Sequence, residues 1–192
     1  MAESLHLLGD PAPPAAGPSA PARRLPHHLP KAADAGVEWW LVGAHGGAGV
    51  STLIRAGASA SDSGTAWPVP ADQFTAGVVV VARGSAYGLE WARDVARQHA
   101  AGAAPAGVRL LGLAVVADAP GRRPAALRRL LTLVSGGYPR TWPVDWVEQW
   151  RQSGHSDPLT VPRSVRSTLR RMQAVAGTHP VLPDPEEGPH DI

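Results

Sequence analysis

Continuous apolar runs alternate along this chain with segments of helical spacing. Residues 37–43 form a short apolar run met at once by glycine-rich sequence, the pattern of a buried strand in a parallel sheet. Residues 77–83 (Gly-Val-Val-Val-Val-Ala-Arg) give the clearest strand, because β-branched residues dominate them. A second buried strand is predicted over 108–117. Two shorter strands are predicted over 65–69, closed by Pro68 and Pro70, and at an edge over 141–144. Between these runs, 51–58 predicts a helix that Gly57 and the serine-rich residues 59–63 end early. Residues 86–101 predict an amphipathic helix with Leu89, Ala92, Ala96 and His99 on one face and Arg93 and Arg97 on another. Pro124 suits the first turn of a helix whose inner stripe is Leu127, Leu130, Leu131 and Val134, ended by Gly136 and Gly137. A short helix follows over 144–151. Pro162 opens a last helix with Val165, Leu169 and Met172 on its apolar side. The alternation predicts a three-layer α/β fold with a mostly parallel sheet.

The two ends lack this periodicity. Residues 1–35 are rich in proline and alanine, and 178–192 carry Pro180, Pro183, Pro185 and Pro189. Such segments bury too little surface to offset their ordering entropy, so they read as a disordered arm and a disordered tail. Residues 36–177 remain as one domain of ordinary size.

Composition narrows the chemistry. The net charge is only +2, which argues against a strongly electrostatic binder. Of the 18 basic residues 17 are arginine, and the lone Lys31 lies in the arm. With no cysteine, disulfides, thiolate catalysis and Cys-type zinc sites are excluded together. No histidine pair stands at ligand spacing with an acid, so no metal site is expected among the His residues. The start lacks the pattern of a secretory signal, and the longest apolar runs, 77–82 and 110–117, are too short to cross a bilayer. A cytoplasmic protein is expected.

The candidate chemistry lies where the first strand ends. Ala44-His45-Gly46-Gly47-Ala48-Gly49-Val50-Ser51 follows the layout of a phosphate-binding loop, in which backbone amides curl around an anion ahead of a helix N-terminus. Gly46, Gly47 and Gly49 allow the positive φ and close backbone approach that such a loop requires. Ser51 stands where a hydroxyl coordinates Mg²⁺, with Thr52 beside it. The position of the phosphate-gripping lysine holds Val50. That loss removes a charge-assisted contact of about 1.5–3 kcal/mol.

The segment from His45 to Thr52 resembles the deviant Walker A loop of the ParA/MinD-type ATPases, K-G-G-x-G-K-[ST]-[ST]. Both lysines of that pattern are replaced here, by His45 and Val50. Residues 39–151 also resemble an actinobacterial family with a His-Gly-Gly-Ala-Gly loop, often encoded beside plasmid or integrative-element transfer genes. The loop, residues 108–122 and residues 142–151 carry that resemblance. That closer resemblance implies a truncated P-loop NTPase-like fold and a genomic setting rather than an activity. ATP or ADP with Mg²⁺ as ligand and a homodimer as assembly are what the ParA/MinD-like pattern implies, although the lysine that reaches across such a dimer is replaced here by His45. His45, Gly46, Gly47, Ala48, Gly49, Val50, Ser51 and Thr52 are then the cofactor-binding residues. No catalytic residue is assigned. The strand over 77–83 ends without an acid, and Asp118 after 108–117 stands where the resembling ATPases carry an Asn-containing segment. The stretch that holds their catalytic acid is reduced to residues 53–76. The resemblance therefore implies a binding or regulatory module that does not hydrolyse nucleotide.

Two further features bear on partners. Tyr138, Trp142, Trp146 and Trp150 form either a hydrophobic plug or an anchor for a protein partner, in which case the chain is a ligand-free adaptor. Arg163, Arg166 and Arg170, with Arg171 adjacent, form a basic stripe that suits either solvent or DNA phosphates.

Overall fold

The computed structural model describes residue 25 and residues 27–28, 39–70, 75–152 and 159–177. The strands are β1 His27–His28, β2 Trp39–Gly43, β3 Ser61–Asp62, β4 Trp67–Pro68, β5 Ala76–Arg83, β6 Val108–Val116 and β7 Thr141–Val144. The helices are α1 Val50–Arg55, α2 Ala86–Ala100, α3 Ala125–Ser135, α4 Glu148–Gln152 and α5 Arg163–Ala176. Five strands form one sheet in the order β3-β2-β5-β6-β7, and every pairing in it is parallel.

Alternate residues of the central strands feed two separate cores, which is why those strands read as unbroken apolar runs. Trp40, Val42, Val78 and Val80 point to one side, where Leu89, Ala92 and Val95 of α2 cover them. Trp39, Leu41, Val79 and Val81 point to the other, against Val50 and Leu53 of α1 and Val165, Leu169 and Met172 of α5. Each such side chain contributes about 1.5–3 kcal/mol by leaving water. The three-layer α/β architecture expected from the pattern is present.

Three local features differ from the expectation. First, Ser61–Asp62 lies in the stretch read as a helix terminator, yet it pairs with Trp40 and Leu41 at the sheet edge. Gly57, at φ 99, turns the chain out of α1 and lets it return along β2. Second, the strand expected over 65–69 shrinks to β4 and pairs with β1 instead of joining the main sheet. Among the described residues the crossover from β3 to β5 thus carries no helix; the fully buried Trp67 packs on the α2 side. Third, α3 buries only Val134 of its expected inner stripe, while Leu130 and Leu131 are half covered and Leu133 is 77 % exposed.

The folded unit also reaches into the stretch read as an arm. Leu25 is buried beside Trp67, its N–H donates to Gln98 Oε1 at 2.9 Å, and its carbonyl accepts from Gln98 Nε2 at 3.0 Å. One buried amide on α2 satisfies both backbone groups, and β1 continues the chain into its pairing with β4. This moves residues 25 and 27–28 from the arm into the domain. The rest of residues 1–35, and the tail 178–192, lie outside the described residues.

Candidate functional site

Within the main sheet the chain moves from β2 outward to β3, then back across β2 to β5 and onward to β6 and β7. The direction therefore reverses between β2 and β5. In a parallel α/β sheet, the connections leaving such a pair diverge to opposite faces and open a crevice beyond the strands' carboxyl ends. The glycine loop, residues 44–49, leaves β2 at that point, and Arg83-Gly84-Ser85 leaves β5 beside it.

The loop is shaped by its backbone. Ala44 N–H donates to Val81 O at 2.8 Å, Ala48 N–H to His45 O at 3.2 Å, and Leu53 N–H to Gly49 O at 3.0 Å. Gly47 has φ 74 and Gly49 φ 111. A Cβ on Gly49 would also lie 3.3 Å from Val116 Cγ2, so any side chain there is strained twice. The N–H groups of Gly46, Gly47, Gly49, Val50, Ser51 and Thr52 meet no acceptor among the described residues, and no side chain caps α1.

The eight expected ligand-binding residues are contiguous on this loop but face different ways. Gly46, Gly47 and Ser51 are exposed, Gly49 and Thr52 half-buried, and His45, Ala48 and Val50 turn inward. Val50 packs in the α1–α5 core, 7 % exposed, with Cγ2 against the end of β2. The lysine position is thus used for packing.

His45 is held on both ring nitrogens. Arg83 N–H donates to Nε2 at 3.3 Å, and Nδ1 lies 2.8 Å from Gly46 O. A backbone N–H can only donate, so Nε2 is the unprotonated nitrogen and Nδ1 carries the hydrogen given to Gly46. The ring thereby ties the loop to β5, and the ring of Tyr87 stands edge-on to it at 5.4 Å. Both nitrogens of His45 are thus engaged by the backbone where the lysine pattern would reach outward.

An acid does stand beside the loop, on an edge strand and not at the end of β5. Ser51 Oγ donates to Asp62 Oδ2 at 3.1 Å, and Asp62 Oδ1 accepts from Gly64 N–H at 2.7 Å. Asp62 ends β3, the strand next to β2. A two-residue edge strand has no periodicity by which the sequence could reveal it. Asp118, which follows the long apolar strand, is exposed and lies past the end of β6.

Arg83 was also missed as a site residue. Its Nε donates to Gly47 O at 3.1 Å, and a longer 3.4 Å contact runs from one terminal nitrogen to Ala117 O. The guanidinium therefore crosses from the end of β5 to the loop. Arg123 approaches the same strand end, where a Cβ on Gly84 would lie 2.9 Å from its terminal nitrogen. Gly88 lets the first turn of α2 close on the Arg83 backbone, and Ser85 caps that turn by accepting from Gly88 N–H at 3.2 Å.

The aromatic cluster is split between the two sides of the sheet. Tyr138 is buried with the α2 core, and its hydroxyl donates to Ala92 O at 2.6 Å; burial pushes its pKa far above the usual phenol value. Trp142 lies in the opposite core, in space that Gly112 leaves open. Trp150 packs on that core and donates to Thr160 O at 2.9 Å. Trp146 is half-buried, donates to Glu148 Oε2 at 2.9 Å, and lies under the Arg151 guanidinium at 5.6 Å. On α5, Arg163, Arg166, Arg170 and Arg171 are all exposed.

Among the described residues no three His, Asp or Glu side chains gather as a metal cluster, and no helix is long and apolar enough to cross a membrane. Neither a curated protein nor a solved structure matches the chain. A family profile does match residues 37–169, from the approach to β2 into α5, and so the chain belongs to the family of unknown function DUF6668.

Proposed function

We propose that this chain is a ParA/MinD-like P-loop protein that binds a nucleotide or other phosphate at residues 45–52 without hydrolysing it. We further propose that it serves as a binding or regulatory module in plasmid or integrative-element transfer or maintenance, a setting drawn from the sequence resemblance. The observation that carries the binding proposal is the set of amides at Gly46, Gly47, Gly49, Val50, Ser51 and Thr52 that meet no acceptor among the described residues, placed at the sheet's reversal point. Backbone donors so arranged favour an anion, and the reversal point is where parallel α/β sheets take ligands.

Ser51 and Asp62 fit a Mg²⁺ that accompanies the phosphate. They bring a hydroxyl and a carboxylate oxygen within 3.1 Å of each other. Mg²⁺ prefers such hard oxygens and completes its shell with phosphate and water. When bound, the ion neutralises phosphate charge; Ser51 and Asp62 orient it. Hydrolysis is not proposed, because Val50 is packed into the core, His45 is tied to the β5 backbone, and β5 ends in Arg83 where a metal-holding acid would stand.

Calorimetric titration with ATP, ADP and GTP, with and without Mg²⁺, tests the proposal. Saturable heat without product formation is expected. Mg²⁺-dependent turnover that Ser51→Ala abolishes would overturn the non-hydrolysing part.

A further inference from the structure

We infer that the positive charge missing from the loop at Val50 is delivered from the neighbouring strand, by Arg83 with Arg123 beside it, and that these two guanidinium groups grip a phosphoryl anion. This assignment rests on the phosphate-loop proposal and names the residues that hold the ligand.

Three observations converge on it. Arg83 is the last residue of β5, so the strand itself delivers the side chain to the crevice mouth. Its bond to Gly47 O sets the guanidinium on the loop that carries the amides. A guanidinium has five N–H donors, and only two are used by the contacts to Gly47 and Ala117. The remaining edge can engage an anion in two parallel hydrogen bonds, the geometry in which arginine surpasses lysine.

Arg123 supplies the second charge at the same strand end. Gly84 leaves room for its guanidinium, and Arg128 donates to the Arg123 carbonyl at 2.8 Å, fixing the turn that carries it.

The charge balance points the same way. On α2, Asp94 pairs with Arg93 and Arg97. Neither Arg83 nor Arg123 pairs with a carboxylate among the described residues, and Asp62 is engaged by Ser51 and Gly64. Two cations held at one strand end repel each other, and an anion between them turns that repulsion into attraction. The chain thus moves the charge from the helix to the next strand, which frees the helix position for an apolar core residue.

The test is a set of titrations of inorganic pyrophosphate and of ADP into the full chain. The variants are Arg83→Gln, Arg123→Gln, Arg83→Lys and, as a control on the exposed face of α5, Arg163→Gln. Thermal melting without ligand reports the folding of each. Arg83→Gln is expected to weaken both ligands roughly ten- to a hundredfold, and Arg123→Gln several-fold. Arg83→Lys should recover part of the loss, and Arg163→Gln should match wild type. Equal weakening of pyrophosphate and ADP places the contact on phosphate and not on the nucleoside. If Arg83→Gln does not fold, Arg123→Gln, which has no bond to the loop, decides: wild-type affinity there overturns the inference. Wild-type affinity in both Gln variants, with binding lost in Ser51→Ala, overturns the inference and leaves the phosphate-loop proposal standing. No binding of either ligand by the wild-type chain overturns both.

Discussion

The glycine loop after β2 and the tryptophan-rich stretch from Tyr138 to Trp150 are the two most distinctive segments of the chain, and the fold uses them in opposite ways. In the tryptophan stretch, Tyr138 and Trp142 lie in the two cores, and the Tyr138, Trp146 and Trp150 donors are spent on acceptors within the protein. Around the loop the reverse holds. Six consecutive or near-consecutive amides have no acceptor among the described residues, and Arg83, Arg123, Ser51 and Asp62 gather at the same strand ends. Large aromatic residues mark the tryptophan stretch. Unused polar capacity distinguishes the glycine loop, and it favours the phosphate-binding proposal over an adaptor that works through its tryptophans.

Mutations can break this contrast. The largest effect is expected from Trp142→Ala, which empties a packed site behind Gly112 and should lower unfolding free energy by about 3–5 kcal/mol in urea denaturation. Ligand affinity should survive that change wherever the variant remains folded. Gly49→Val forces a side chain onto φ 111 and into Val116, and a loss of about 1–3 kcal/mol is expected together with loss of phosphate binding. A Gly49→Val chain that still binds pyrophosphate as wild type does would show that the loop is not the site.

Ser51→Ala should cost under about 1 kcal/mol of stability, since its bond to Asp62 is exposed, yet should remove the Mg²⁺-dependent part of nucleotide affinity in calorimetry. Tyr138 gives a pH signature. Its phenol pKa is raised in the folded state from an ordinary value of 10.0, so the neutral form is favoured on folding. The contribution is complete below pH 10.0 and declines as pH rises past it, because the unfolded chain ionises first. Tyr138→Phe should flatten that alkaline decline in denaturation curves. The smallest effect is expected at Trp146→Ala, under about 1 kcal/mol, because its partners are exposed.

How much of this was legible follows from the range of the interactions. The β5 valines declare themselves locally, since Val78, Val79, Val80 and Val81 must alternate between two cores. The glycine turn is equally local, because positive φ is a property of single residues such as Gly47 and Gly49. Asp62 was hidden because it sits on a two-residue strand, where pairing with Leu41 sets the structure and no periodicity exists. Arg83 looked like the polar end of a strand; only the approach of β2 and β5 brings its side chain to Gly47. Leu25 was lost in proline-rich sequence because one distant amide, Gln98, anchors it. The exposed stripe of α3 shows the opposite failure: helical periodicity marks an apolar face without saying how much of it finds a partner.

The central claim is that the loop amides and the charges around them hold a phosphoryl anion. Isothermal titration of Mg²⁺-ADP into the full chain addresses it most directly, with thermal melting recorded at the same ligand concentrations. Saturable heat, with a melting temperature that rises with ligand as binding to the folded state requires, is the predicted result. No heat and no thermal shift at millimolar ADP, ATP or pyrophosphate would contradict it, and the loop would then be a turn kept for packing.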